Sequence, residues 1–431
     1  MSCNEWKIHK LKDVCTKIGS GSTPRGGSNV YKDEGITLIR SQNVYNNSFD
    51  YSGLVFIDDE AAQKLKNVEL KENDILLNIT GDSVARCTIV PQKLLPARVN
   101  QHVCILRVND KIIHPFYLKS FLVNSRMQEI MLSLAQSGGT RAALTKGMIE
   151  NFEIPIPSLE EQEKIANILS SLDDNIELNN EMNKTLEEMA QAIFKRWFVD
   201  FEFPNEDGKP YKSSGGKMVE SELGMIPKGW EVKCLEDITS VISKGTTPTK
   251  KDIDASSDFP SIKFLKVKDI DENGNIITDN LEYIPLSVHN NKLKRSILYT
   301  DDIVFSIAGT IGRVSVIDDR FNNSNMNQAL AFIRLSDKDK MFIFTLYLMK
   351  SSTIQQKIKS NIVQAVQANV SLGTLKALKF SCPNDTLLNM YNNIVKPIYN
   401  KQICIKKENE SLKSIRDTLL PKLMSGEVRV E

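Results

Sequence analysis

Asn100-Gln-His-Val-Cys-Ile-Leu-Arg-Val108 and Asn327-Gln-Ala-Leu-Ala-Phe-Ile-Arg-Leu335 decide the reading of this chain, because each is the counterpart of the other. Both open on Asn-Gln, run through an apolar stretch and end on an arginine. Moving outward, Asp74-Ile-Leu-Leu-Asn-Ile-Thr-Gly81 answers Asp302-Ile-Val-Phe-Ser-Ile-Ala-Gly309, and Gly35 to Val44 is echoed by Ser261 to Ile270. Farther out, Trp6, Leu11, Asp13, Gly21, Thr23 and Pro24 recur as Trp230, Leu235, Asp237, Gly245, Thr247 and Pro248. Leu186 to Phe198 then aligns with Leu412 to Met424. The order is kept and the offset drifts by only a few residues. A repeat of about half the chain is far longer than a solenoid period and means two copies of a whole domain-plus-helix unit.

Within each copy, short apolar runs bounded by Gly, Asn, Asp and Pro read as strands: 36–40, 75–80 and 103–108 in the first, 303–307, 313–317 and 330–335 in the second. Pro115 to Leu134 and Met341 to Ile358 have helical spacing. Strands do not alternate regularly with helices, so the class is α+β rather than a doubly wound sheet.

After Pro157 the pattern changes to a sustained heptad. One row is Ile165, Leu172, Asn179, Leu186 and Ile193, accompanied by Ile168, Asn175, Met182, Met189 and Arg196. In the second copy the rows are Tyr391, Ile398, Ile405, Leu412 and Leu419, with Ile394, Lys401, Glu408, Ile415 and Lys422. Stripes this long need a partner, and two of them predict a coiled coil, interrupted by polar residues that fix register. Two amphipathic helices packed separately on their own domains are the alternative. Two-fold association of like units makes the pair antiparallel, sets the globular parts apart and brings the termini together. Pro397 is expected to kink or interrupt the second helix. The resulting organisation is residues 1–156, a first domain; 157–198, a long helix; 199–229, a turn-rich connector; 230–384, a second domain; and 385–425, a second long helix.

Composition narrows the function. The chain of 431 residues is 41% hydrophobic and 25% charged, and it contains no apolar run of the roughly 20 residues that a membrane helix needs. The opening Met-Ser-Cys-Asn-Glu-Trp has neither a basic leader nor an apolar core, which predicts no secretion signal. Seven scattered cysteines, none spaced as CxxC, and four dispersed histidines argue against a zinc site and for a reducing cytoplasm. Gly216-Lys217 lacks the spacing and the following Ser or Thr of a phosphate loop. A net charge of +1 excludes a protein that coats DNA indiscriminately, since such binding scales with the phosphates neutralised.

Several motifs together resemble one family. Trp-Lys-Ile and Leu-Lys-Asp within 6–13, Gly-Ser-Gly-Ser-Thr-Pro at 19–24 and Ile-Pro-Ile-Pro-Ser-Leu-Glu-Glu-Gln at 154–162 are similar to those of the specificity subunits of Type I restriction–modification enzymes. So are Phe194-Lys-Arg-Trp-Phe-Val-Asp-Phe201, Ser221 to Trp230 and Leu419 to Val428. One departure is that the second Pro-x-Pro is degraded to Ser381-Cys-Pro-Asn, with no Glu-Glu-Gln after it. The resemblance implies two target-recognition domains, each reading one half of a bipartite double-stranded DNA site, separated by a long antiparallel two-helix coiled coil. It also implies a non-catalytic chain that docks two methyltransferase subunits and restriction/translocase subunits. S-adenosylmethionine, ATP and magnesium would then belong to those partners, leaving no cofactor and no metal in this chain.

If the chain reads DNA, hydrogen-bonding side chains on loops are the candidates. In the first copy they are Ser22, Thr23 and Arg25 in the small-residue loop, Arg40 and Gln42 at a strand end, and Arg141. In the second they are Lys244, Thr246, Lys250, Lys266, Lys268 and Gln367. Ordinary surface turns use the same residue types; recurrence in both copies favours function. Trp197 and Phe198, where the first long helix ends, either cap the helical core or form a docking face for a methyltransferase subunit. A two-headed coiled-coil interaction scaffold, without DNA, is the competing function that the architecture alone would equally support.

Overall fold

The computed structural model describes residues 6–136, 142–278, 280–365 and 369–430. It divides into two units, residues 1–182 with 405–431 and residues 183–404. Each unit therefore holds one copy of the globular domain and a portion of both long helices.

In the first unit a four-stranded antiparallel sheet runs in the order Cys15–Ser20, Val103–Val108, Ile75–Asn78, Cys87–Ile89. Side chains alternate across a strand. Accordingly Ile75, Leu77, Cys104 and Leu106 enter one core, while Leu76, Val103 and Ile105 enter another. Burial on both faces is why the sequence here is continuously apolar. Helices Pro115–Val123 and Ser125–Gln136 cover the first face. The second is covered by a three-stranded sheet in which Ile36–Ile39 lies between Val55–Ile57 and Ala97–Val99.

The second unit repeats this sheet plan. Its sheet order is Thr239–Lys244, Leu330–Leu335, Ile303–Ser306, Val314–Val316. Ile303, Phe305, Ala331 and Ile333 face one core, and Val304, Leu330 and Phe332 the other. Each sheet carries the same buried bidentate ion pair. Arg107 grips Asp74 through Nε and Nη2, both at 2.7 Å, and Arg334 grips Asp302 at 2.8 and 2.6 Å.

The stretches read as single helices are each two. The breaks fall at Asn124 and Ser351, both extended, and glutamine side chains stabilise them. Gln128 donates to the Leu122 carbonyl at 2.8 Å, and Gln355 does the same to Met349 at 2.8 Å.

The long helices span Leu159–Phe194, with one wider turn over Lys195–Val199, and Asp385–Ser425. Ser158 caps the first through the Glu161 amide, and buried Gln162 accepts from the His114 amide at 2.8 Å. The second helix runs through Pro397 without a break, so the interruption expected there as one of two outcomes does not occur. Pro397 and Asn393, whose carbonyl loses its amide partner, both lie on the exposed face, where solvent satisfies that carbonyl.

Pairing is antiparallel within each unit. In the first, Asn179 meets Asn409 at 2.9 Å, Asp173 meets Arg416 at 2.9 Å and Glu161 meets Arg429 at 2.9 Å, so one number falls as the other rises. In the second, Gln402 donates to Glu187 at 3.2 Å while the Tyr391 ring lies 6.2 Å from that of Phe194. The expected meeting of the termini also holds within the first unit: the Arg429 guanidinium lies 5.0 Å from the Trp6 ring.

One of the two predicted rows in each helix is corrected. Ile165, Leu172, Asn179, Leu186 and Ile193 turn inward, as do Ile398, Ile405, Leu412 and Leu419. The companion row is displaced by one residue. Ile168 is half-buried, as Leu172 and Leu186 are, but Ile394 and Ile415 are exposed, as are Met182 and Met189. Leu169, Ile176, Ala190, Leu388, Val395 and Leu423 take the buried places, together with Gln402 and Asn409. Two adjacent rows both carry apolar residues. The buried one is marked by polar residues that find partners: Asn409, which accepts from Asn179, donates to Asn180 at 2.9 Å.

Glu187 gives the second unit a pH dependence. Burial alone would raise its pKa, but Lys350 at 2.8 Å, together with Gln191 and Gln402, holds it below its usual 4.5. A depressed carboxylate contributes stability that is present above the unfolded value and lost as pH falls through the folded one. Urea melts of the wild type and Glu187→Gln should therefore differ at neutral pH and converge as the pH falls below the usual carboxylate range. A gap that persists in acid would mean that the charge is not what stabilises this contact.

The connector is more than a link. Phe203 stacks on Tyr211 at 4.5 Å and on Trp230 at 5.4 Å, and Met218–Ser221 pairs with Gly224–Pro227 as a hairpin. It is a folded strap on the second unit's core.

Candidate nucleic-acid interface

In the first unit, strand ends from both sheets converge. The Gly21 amide donates to the Val103 carbonyl at 2.8 Å and the Ser22 amide to Val99 at 2.9 Å, bending the 21–25 loop over the end of strand Ala97–Val99. A Cβ on Gly21 would lie 2.2 Å from the Val99 oxygen, so only glycine permits this approach. The Asn100 amide donates to Ile39 at 3.0 Å, which brings Arg40 and Gln42 to the same edge. The Asn100 side chain accepts from the His102 amide at 3.2 Å and so turns Gln101 outward. Thr23 donates from its hydroxyl to the Gln101 side-chain oxygen. His102 Nδ1 lies 2.6 Å from the Thr80 hydroxyl, and its Nε2 lies 3.2 Å from Gln101 Nε2.

The second unit rebuilds the same edge. The Gly245 amide donates to Leu330 at 3.0 Å, and a Cβ there would lie 2.1 Å from the Met326 oxygen. The Asn327 amide donates to Leu265 at 2.9 Å, bringing Lys266 to the edge, and Thr247 donates to the Gln328 side-chain oxygen.

Of the residues singled out from sequence, Ser22, Thr23, Arg25, Arg40 and Gln42 share the first edge. Lys244, Thr246, Lys266 and Lys268 share the second; Lys250 stands apart at the start of the Lys250–Asp254 helix. Arg25, Lys244, Thr246, Lys250 and Lys268 are exposed. Arg40 is partly spent locally, donating to the Gly53 carbonyl at 2.6 Å. Lys266 and Lys268 share Glu282 at 2.5 and 3.6 Å, which offsets one of their two charges, and the hydrogen bond from Lys266 holds Glu282 below the usual carboxylate range. Arg141 and Gln367 lie outside the described residues. Trp197 and Phe198 are only 7% and 5% exposed, locked against Tyr391, Phe344 and Trp230. Of the two readings offered by the sequence, core and docking face, they take the first.

Sequence reasoning missed Gln101, Gln328, His102 and Thr80, although the repeated Asn-Gln pair opened the internal comparison. Among the described residues no group of three or more His, Cys, Asp or Glu side chains could hold a metal, and no helix is long and apolar enough to cross a membrane. The six described cysteines are free thiols.

The family model of the Type I restriction modification DNA specificity domain matches twice, over residues 4–188 and 227–412. The chain belongs to this family. Similar members include the specificity subunit of the Type I restriction enzyme HindI of Haemophilus influenzae, 26% identical over 99% of this chain and 100% of the relative. The MjaIX specificity subunit of Methanocaldococcus jannaschii is 29% identical over 99% of this chain and 94% of its own. The crystal structure of a Type I S subunit from M. genitalium has the same fold, with a TM-score of 0.56 at 16% identity over 98% of this chain and 97% of that one. Both family matches end inside a long helix, so this specificity-domain family counts helix and reading domain as one unit.

Proposed function

We infer that the chain is the DNA-specificity subunit of a Type I restriction–modification complex, with each target-recognition domain reading one half of a bipartite site. One observation carries this: the same polar edge, built by the same backbone bonds around Gly21 and Gly245, occurs once in each copy of a specificity domain. The chain itself performs no chemistry. S-adenosylmethionine, ATP and magnesium belong on the partner subunits. The paired helices serve as spacer and as docking scaffold for two methyltransferase subunits, which restriction/translocase subunits join. What supports docking on the helices is their outer apolar surface: exposed Leu178, Met182 and Ile415 in the first unit, and Met189, Met390 and Ile394 in the second. Leucine, isoleucine and methionine left in water on helices are the surface that a helical partner covers.

The test is exchange of residues 6–156 for those of another family member, in a complex with the methyltransferase subunits. Mapping methylated adenines should show one half of the recognised sequence replaced and the other kept. An unchanged sequence, or loss of both halves in a folded complex, would overturn the reading.

A further inference from the structure

The two units serve as controls for each other. Features present in both copies form the common frame of the edge: Gly21 and Gly245, Thr23 and Thr247, Asn100 and Asn327, Gln101 and Gln328. Among the places where the copies differ, one is a contacting pair. Thr80 and His102 of the first are both reduced to methyl groups in the second, as Ala308 and Ala329.

We propose that Gln101 and Gln328 are the base-edge readers of the two domains, each presenting its carboxamide to an adenine in the major groove, and that the Thr80–His102 pair sharpens the first. This rests on the chain being a DNA-specificity subunit. A glutamine amide matches adenine because its oxygen accepts from N6 while its nitrogen donates to N7. The hydrogen bonds around Gln101 leave those two groups available. The Thr23 hydroxyl occupies one lone pair of Oε1 and leaves the other for adenine N6. With the ring proton on Nδ1 and donated to Thr80, His102 Nε2 accepts one Gln101 hydrogen and leaves the other for adenine N7. Both ends of the amide are thereby held before DNA arrives, which lowers the ordering cost on binding. Among the described residues, Gln328 is held through its oxygen, by Thr247. Both glutamines are exposed, as are Arg25, two residues beyond Thr23, and Lys244, three residues before Thr247.

The experiment uses the complex with methyltransferase subunits and duplexes carrying 7-deazaadenine at one position at a time. In the wild type, one adenine in each half-site should show an affinity loss of about tenfold to a hundredfold. Gln101→Ala should abolish that sensitivity in the first half-site only, and Gln328→Ala in the second only. Gln101→Glu should reject adenine, because both oxygens only accept. His102→Ala should relax discrimination in the first half-site and leave the second unchanged. Unaltered melting temperatures would show that these exposed residues leave the fold intact. The proposal fails if Gln101→Ala keeps the wild-type sensitivity profile, or weakens all sequences equally as a phosphate contact would. Should that happen while domain exchange still moves one half-site, the specificity reading stands and only the glutamine assignment falls. If exchange moves nothing, both fall.

Discussion

Asp173→Ala is expected to destabilise the first unit by about 3–5 kcal/mol, the range for breaking a buried charge pair from one side. The Asp173 carboxylate lies between Lys119 Nζ at 2.7 Å and Arg416 Nη1 at 2.9 Å. The three side chains are 13%, 6% and 15% exposed, so water replaces little of what is removed. Asn47, 2.9 Å from Lys119, is neutral, and Asp417 balances Arg416 from a solvent-exposed position. Without Asp173, Lys119 and Arg416 lose the buried carboxylate they share, and only the more exposed Asp174 and Asp417 remain to offset them. For a unit of this size the loss corresponds to a fall of roughly 10 °C in its melting temperature. Replacing all three by Leu or Met should recover most of it, because burying the charges is itself costly. A shift in Asp173→Ala equivalent to less than about 1 kcal/mol, as a surface pair would give, would show that the triad is not structural. The triad joins helix Pro115–Val123 to both long helices, so it holds the reading domain to the rod of its own unit.

Phe198→Ala is expected to cost the second unit about 3–5 kcal/mol, as for large aromatic truncations in a packed core. The Phe198 ring has four aromatic neighbours within 6 Å: Tyr391 at 4.7 Å, Phe344 at 5.0 Å, Phe194 at 5.1 Å and Trp230 at 5.9 Å. The pairs with Tyr391 and Phe344 are edge-to-face, a geometry that adds to simple burial. Denaturation followed by tryptophan fluorescence reads the effect directly, because Trp230 and Trp197 pack on this ring. The same variant distinguishes core from docking face. If stability is unchanged while co-purification of the methyltransferase is lost, the ring serves the partner.

How much of this was legible in sequence depends on the residue. The central sheet strands were legible because Ile75 to Asn78 and Ile303 to Ser306 are buried on both faces, so the run is apolar up to its last residue. Pro397 misled because a missing amide matters only where water is excluded, and its face is wet. The heptad misled because Met182, Met189, Ile394 and Ile415 are apolar yet exposed, whereas Gln402 and Asn409 are polar yet buried. Apolarity marks a seam only when every apolar residue is needed there.

The candidate site divides the same way. Its small-residue loops stood out from composition and recurrence. Gln101 did not, because its significance lies in contacts with Thr23 and His102, separated from the first of these by 78 residues.

By itself, then, the sequence determined that the chain is duplicated, where the central buried strands and the long helices lie, and the family to which both halves belong. Each of these follows from local pattern and recurrence. Only the tertiary structure decided which row of each helix is buried, where the aromatic rings are spent and which polar side chains meet at the sheet edge. Those depend on partners distant in sequence, and a hydrogen bond or a packed ring exists only when both partners are in place.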